Sequence, residues 1–466
     1  MLTTNNVRRF GAALNRLLGR DWPWVAAVVF MAFIAAWPAI SEPGLVNTRG
    51  GGDSPFLLQR LQQLTAALAD GQFPVRWMPD ANYGYGYPFY NFYAPLSIYV
   101  AAAFRFLDFS FVRAIHLAQL VGFAVAGLGM FYLGRRWWGS RWAGLLAAVA
   151  YTIAPFHMVN IYVRGDSLAE FWAMAWYPWV LLAADGLLES GQGSRGAGGQ
   201  GSARPIALFA LAYAALILSH NISALIFSPF LLLYLGLRLV ATTTAGRRQT
   251  PTKQRAYGES DQSPNHPFSP SPPRPFRSLW PLVYGLLLAL ALAAWFFVPA
   301  LTEQGLAQLG PVTEGYFHYS NHFRGLNLVQ AGLLFDYNPD GGVAFRLGLV
   351  QVGLAVAGAV VLWSRRDRAH RLASPSGHLS AVGGRRLSIA LLAALIAVFM
   401  ITPLSRLLWD HLPLLSFTQF PWRFLSVASF FLALLTSGLV KVTDNQAARA
   451  AVALVGSIVL LAAGLL

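Results

Sequence analysis

The chain has 466 residues, of which 56% are hydrophobic and only 11% charged. A soluble domain carries roughly 25% charged residues, so the composition excludes a soluble globular protein and indicates a membrane protein. Cysteine is absent, which excludes disulfides, thiolate zinc sites, iron–sulfur clusters and cysteine nucleophiles and leaves the redox compartment open.

Apolar runs long enough to cross a ~30 Å hydrocarbon core as α-helix recur near 22–41, 112–134, 142–162, 169–188, 205–219, 222–241, 278–300, 346–363, 387–403, 422–440 and 449–466. The first run lacks a small-residue cleavage site after it, so it reads as a transmembrane helix and signal anchor. The last run reaches the end of the chain with no flanking charge, as a fragment of a longer protein would.

Strict alternation from a cytoplasmic amino terminus (1–21) puts 135–141, 189–204, 242–277, 364–386 and 441–448 inside. Counted with the adjoining span ends, 24 of the 34 Lys and Arg then lie inside and 10 outside, against 7 and 12 of the 19 acids. The net charge of +15 is therefore the positive-inside signal of a multi-pass plasma-membrane protein, and nucleic acid is not an expected partner; the lipid bilayer is. Residues 91–107 (NFYAPLSIYVAAAFRFL) are apolar but contain Arg105, and a span there would flip the basic turn 134–141 to the outside. They are expected to form an interfacial or re-entrant helix.

The inner loops 189–204, 242–277 and 364–386 are rich in Gly, Ser, Pro and Arg and are expected to be disordered. The outer loops 42–111, 301–345 and 404–421 are long and aromatic, a composition that can pack and carry a site. The predicted fold is an all-α bundle of about eleven transmembrane helices with packed outer loops and span interiors nearly free of charge.

Several outer residues could carry chemistry. Asp53 stands in RGGGDSP (49–55), where Asp53 or Ser54 could equally cap a helix with Pro55 in its first turn; residues 56–69 then have the pattern of an amphipathic surface helix. Asp166 and Glu170, in YVRGDSLAEF (162–171), are spaced i, i+4, which puts two carboxylates on one face if the segment is helical. Carboxylates at a membrane rim are costly unless paired, hydrated or metal-bound. Arg164 offers a partner, and capping is the bland alternative.

His318 and His322, in GYFHYSNHFRG (315–325), could share a metal if that segment is helical. Arg324 in the same loop, and Arg423 in SFTQFPWRFL (416–425), suit bidentate phosphate binding, with interfacial anchoring as the alternative for Arg423. His220 and Asn221 lie in a tight turn where hydrogen-bonded packing is the default. The run NYGYGYPFYNFY (82–93) fits an interfacial aromatic girdle and equally a stacking surface for sugars or polyprenyl chains.

In order, GGGDSP, YPFYNFYAPLSIYV, LGRRWWGSR, AYTIAPFHMVNIYVRGDSLAEF and FTQFPWRFL resemble the GT-C-fold membrane glycosyltransferases, and within them the bacterial membrane proteins labelled 6-pyruvoyl-tetrahydropterin-synthase-related. The resemblance is closest over residues 20–190 and makes 22–190, with its outer loop 42–111, a GT-C-like core followed by further helices over 205–466. The label does not name an activity, since a pterin synthase needs a soluble fold and a metal-binding histidine set. The resemblance implies sugar transfer from a polyprenyl-phosphate donor on the extracytoplasmic face. Asp53 would be general base or acceptor-positioning residue, and Asp166 with Glu170 the second acidic motif, which in some relatives helps hold a divalent cation. Arg423 or Arg324 would neutralise the lipid phosphate, with Arg164 beside them. A transporter or flippase of a lipid-linked or anionic solute, and a non-enzymatic membrane scaffold, are the alternatives.

Overall fold

The structure is a computed structural model that describes residues 19–45, 54–165, 167–193, 203–248, 279–308, 310, 313–325, 327–371 and 377–465. Among these the chain is helical without a strand, apart from two isolated β-bridges, Met78 with Tyr87 and Val329 with Leu347. Helix α1 (Trp22–Ser41) is followed by α2 (Ser54–Ala69), α3 (Phe89–Phe92), α4 (Leu96–Arg105), α5 (Phe111–Trp138), α6 (Arg141–Thr152), α7 (Pro155–Met158) and α8 (Leu168–Gly193). Then come α9 (Ala203–Ser219), α10 (Asn221–Arg248), α11 (Trp280–Thr302), α12 (Leu349–Arg371), α13 (Gly377–Ile401), α14 (Arg406–His411), α15 (Leu425–Thr436) and α16 (Gln446–Leu465).

Nine of the described helices are long and apolar enough to cross a membrane. The bent pair α6 and α7 would make a tenth span, and α9 is a shorter apolar helix that falls where the remaining predicted span lies. The 10 residues of α4 reach only about 15 Å, too short to cross, so 91–107 is not a transmembrane span. The ends of the spans are set locally. In α5 the Ser110 side chain accepts from the Arg113 N–H, and Gly139, at φ 63°, closes the other end by donating its N–H to the Arg135 carbonyl.

Helix α15 lies at the centre of the bundle with 83% of its apolar window buried, whereas α12 has 22% and α11 and α16 each 28%, so these three present apolar faces to lipid. The loops on one face are packed as their composition suggests. The Arg324 N–H donates to the Ile401 carbonyl, Gln330 ties Asp336 to Val343, and the Tyr319 hydroxyl donates to Asp410.

Two expectations need correction. The segments 189–204, 242–277 and 364–386 are not irregular where they are described: α8, α10 and α12 run on through Gly193, Arg248 and Arg371, and α13 starts at Gly377. Residues 194–202, 249–278 and 372–376 lie outside the described residues. Nor are the spans free of charge. Asp185, fully buried in α8, is ion-paired with Arg136 (3.1 Å), Arg238 (3.1 Å) and Arg386 (3.0 Å) and accepts from the Tyr234 hydroxyl. Glu189 joins Arg136 at 2.6 Å.

Counting α8 itself, these groups come from four helices and gather at one end of the bundle, because a buried carboxylate is tolerated only when paired and hydrogen-bonded. Asp21 with Arg135 and Arg141, and Asp444 with Arg365 and Arg449, join other residues that alternation assigns to this same face.

Candidate functional site

The helix break between α6 and α7 builds the opposite face. Pro155 has no N–H to continue α6, and the pair bends by 43°. After α7 a single π-helical turn, Val159–Val163, delivers Arg164, followed by Gly165 at φ 77°. Such turns inside helices recur at functional sites. Helix α8 then begins at Leu168 and carries Glu170 in its first turn.

Glu170 is 2% exposed and Arg423 6%. Arg164 Nη1 donates to Glu170 Oε2 at 2.6 Å and to Asn160 Oδ1 at 2.6 Å. Arg423 Nε approaches the same Glu170 oxygen at 3.4 Å, and its Nη1 donates to the Thr418 carbonyl at 2.8 Å. The Arg164 guanidinium lies 5.0 Å from the Trp422 ring. One buried carboxylate thus stands between two guanidinium groups, leaving these three groups net positive, while Glu170 Oε1 is buried with no hydrogen-bond partner among the described residues.

Three other elements close on this cluster. His220, in the turn between α9 and α10, accepts at Nδ1 from the Ser223 backbone N–H (3.2 Å) and contacts the Ser223 hydroxyl at 2.8 Å. A backbone N–H can only donate, so the neutral ring carries its proton on Nε2. Burial pushes the His220 imidazole down to about 3, against the opposing pull of Glu170, and the ring stays neutral near pH 7. Arg60 of α2 stacks over Phe89 (4.9 Å) and Tyr93 (4.8 Å). The Ser54 hydroxyl, where α2 starts, donates to the Gly165 carbonyl at 3.0 Å, a bond spanning 111 positions of sequence.

Of the residues singled out from sequence, Arg164, Glu170 and Arg423 come together. Asp53 and Asp166 lie outside the described residues, but their covalent neighbours Ser54 and Gly165 form the bond just described. Helix α8 starts at Leu168 and carries Glu170, and the i, i+4 face expected for Asp166 and Glu170 falls partly outside the described residues.

Arg324 is elsewhere in its loop. Its Nε donates to the Phe345 carbonyl at 3.3 Å, and its guanidinium packs against Gly342. The shared helical face expected for His318 and His322 does not form. His318 is extended (φ −67°, ψ 127°) between two single 3-10 turns, His318 Nδ1 contacts the Ser320 hydroxyl at 2.7 Å, and His322 Nε2 donates to the Tyr316 carbonyl at 2.6 Å. Among the described residues no group of three His, Asp or Glu side chains could hold a metal ion. Glu170 is flanked by two cations, which oppose a third. The described donors, Glu170, His318 and His322, do not together fit a divalent metal, and Asp53 and Asp166 lie outside the described residues.

Sequence reasoning missed Asn160 and Arg60 as parts of this face, and took Tyr93 only as one of the aromatic run 82–93 and Trp422 only as a neighbour of Arg423. Asn160 stands four positions before Arg164, a spacing that could have flagged it, and Trp422 is adjacent to Arg423. Nothing local links Arg60 to Tyr93, 33 positions away.

Comparison with known proteins places the chain as follows. Residues 90–248 match the profile of the 6-pyruvoyl-tetrahydropterin synthase related domain, a membrane protein family. An uncharacterised protein of Lactococcus lactis subsp. cremoris is 25% identical over 229 residues, covering 48% of this chain and 35% of the relative. The structure superposes on the oligosaccharyltransferase of Archaeoglobus fulgidus, crystallised with a tethered acceptor peptide, with a TM-score of 0.51 at 15% identity, over 95% of this chain and 54% of that one. A weaker likeness, TM-score 0.39 at 13% identity, is to ArnT of Cupriavidus metallidurans bound to undecaprenyl phosphate, over 90% of this chain and 79% of that one. The chain spans about half of the archaeal enzyme and about a third of the Lactococcus relative. The fold is the GT-C helical bundle of membrane glycosyltransferases.

Proposed function

We propose that the protein transfers a sugar from a polyprenyl-phosphate carrier to an acceptor at the face bearing Arg164, Glu170 and Arg423, and that this face is extracytoplasmic. The observation that carries the proposal is the buried two-arginine, one-carboxylate cluster beside the Ser54–Gly165 bond. That bond ties together the two segments that contain Asp53 and Asp166.

In this reaction the acceptor oxygen or nitrogen forms a bond to the anomeric carbon as the bond from that carbon to the phosphate oxygen breaks. The electron pair leaves with the phosphate, and the acceptor proton passes to a carboxylate base. Arg423 and Arg164 supply positive charge where the leaving phosphate becomes more negative, which favours the transition state over the ground state. Their net positive balance suits an anion, and Trp422 and Thr418 hold the two guanidinium groups in place.

Glu170 is a poor base, because two cations stabilise its charged form; it positions the arginines. The base is assigned to Asp53 or Asp166. His220, neutral with its Nε2 proton available, adds a donor at the same place. The extracytoplasmic assignment rests on the basic excess of the other face.

The test is a mass-spectrometric profile of polyprenyl-phosphate sugars in a deletion strain carrying the wild-type, Asp53→Asn or Asp166→Asn gene. One lipid-linked sugar should accumulate in the deletion and in at least one Asn strain but not with wild type, and that sugar names the donor. Identical profiles in all four, with the protein made in each complemented strain, would sink the transferase reading.

A further inference from the structure

The aromatic run 82–93, whose first half lies in the turn 77–87, left two readings open, an interfacial girdle and a stacking surface for sugars or polyprenyl chains. Its construction and its depth separate them. The turn is firmly built. Met78 and Tyr87 exchange backbone hydrogen bonds at 2.8 and 3.0 Å, and Gln63 of α2 holds both the N–H and the carboxylate of Asp80, at 2.7 and 3.0 Å. Gly86 lies so close to the Trp77 indole that a Cβ there would overlap it. At the tip, Asn82 and Tyr83 adopt positive φ (54° and 60°), a conformation that costs energy for a non-glycine residue. The result is to hold Tyr83 99% and Tyr85 83% exposed, with Trp77 and Tyr87 about half exposed beside them.

The base of the turn runs alongside the end of a span. Arg76 donates to the carbonyl of Trp295 at 3.2 Å, seven residues before α11 ends at Thr302, or about 10 Å along the helix. At that level α11 exposes Leu292, Val298 and Leu301, the apolar surface of a lipid-facing helix. Helix α3, which follows the turn, packs on α11, and Asn91 within it donates to Glu303, just past the end of α11, at 2.7 Å. From 77 to 87 the sequence carries one charge, Asp80, and no Lys or Arg. Tyr and Trp, with an apolar ring and a polar end, are the residues that settle where headgroups meet hydrocarbon.

We infer that the turn 77–87 is seated in the lipid interface beside the end of α11, with Tyr83 and Tyr85 as its anchors, rather than projecting into water as a sugar platform. This surface adjoins the candidate site. Tyr87 contacts Phe89 at 6.3 Å, and Phe89 stacks on Tyr93 at 4.6 Å beneath Arg60.

Because the chain has no cysteine, Tyr83→Cys and Tyr85→Cys each create a unique labelling site at an exposed position where folding tolerates change. Each variant, spin-labelled and placed in nanodiscs of phosphatidylcholine and phosphatidylglycerol, is probed for collisions with oxygen and with a water-soluble nickel chelate. Leu301→Cys serves as the lipid reference and Asp340→Cys, in an exposed polar turn on the same face, as the aqueous one. The oxygen-to-nickel accessibility ratio at 83 and 85 is expected severalfold above that at 340 and close to that at 301. A ratio matching the Asp340 label at both positions would overturn the inference and restore the sugar platform. The measurement requires no catalytic activity, so its outcome is independent of the proposed transfer reaction.

Discussion

Replacing Glu170 with glutamine removes the single negative charge between Arg164 and Arg423 while keeping the shape of the side chain. In the wild type both guanidinium groups converge on one oxygen, at 2.6 and 3.4 Å, and the side chains of Arg164 and Arg423 are only 17% and 8% exposed. Two unit charges 4 Å apart interact by about 4 kcal/mol at an effective dielectric of 20. Removing one member of such a buried group typically costs about 3–5 kcal/mol, because an uncompensated charge stays behind. Here the loss is compounded, since the two arginines would repel each other with nothing between them.

Glutamine can still accept one hydrogen bond, so the lower end, about 3 kcal/mol, is expected. Arg423→Gln should cost less, about 1.5–3 kcal/mol, because Glu170 keeps its shorter bond to Arg164. The double variant should then be more stable than Glu170→Gln alone, as the repulsion is gone. Denaturant unfolding in mild detergent, read by tryptophan fluorescence, measures all three. A loss below about 1 kcal/mol for Glu170→Gln, or a double variant less stable than the single one, would refute the view of Glu170 as the counter-ion that holds the site together.

Arg423→Gln should also weaken binding of an isoprenyl phosphate to the purified protein, which isothermal calorimetry would show; unchanged affinity would remove Arg423 from the phosphate site. At the other face, Asp185→Asn leaves Arg136, Arg238 and Arg386 without their shared buried carboxylate and should lower stability by about 3–5 kcal/mol, with activity per folded molecule unchanged. Gly358→Ala places a Cβ against the Leu435 carbonyl where α12 crosses α15 and should cost about 1–3 kcal/mol by overpacking, read as a lower midpoint in the same unfolding assay.

The pH dependence has a defined sign. His220 is held below its ordinary value in the folded protein, at about 3, so the unfolded chain binds the extra proton between that value and about 6.5. Its contribution is therefore fully present above pH 6.5 and declines as pH falls toward 3. Thermal unfolding should show wild type losing more stability between pH 7.5 and 5 than His220→Asn does. Asparagine keeps a capping acceptor for α10 without titrating, and parallel curves for the two proteins would refute this account.

The sequence by itself determined that the chain is a multi-pass helical bundle and the order of its apolar segments, of which nine or ten become span-length helices among the described residues, because crossing a hydrocarbon core requires about twenty apolar residues with every backbone group bonded within the helix. It also sorted the charged groups into two sets, since the ion pairs around Asp185 gather at one end of the bundle, away from Arg164, Glu170 and Arg423. Arg164, Glu170 and Arg423 were legible as candidates because ionisable side chains at a span end carry a high desolvation cost.

Their convergence was not legible. Glu170 and Arg423 are 253 positions apart, and their contact depends on how α8 and α15 pack around the bend at Pro155. The failed pairing of His318 with His322 has the same cause in reverse, since a spacing of four has meaning only inside an α-helix and tertiary packing made that segment two short turns. Asp185 escaped notice because its three arginines come from three other helices, and only the assembled bundle shows that a carboxylate in a span is fully paired. Periodicity and composition are local properties and fix the helices; a site made by groups hundreds of positions apart exists only once those helices have chosen their neighbours.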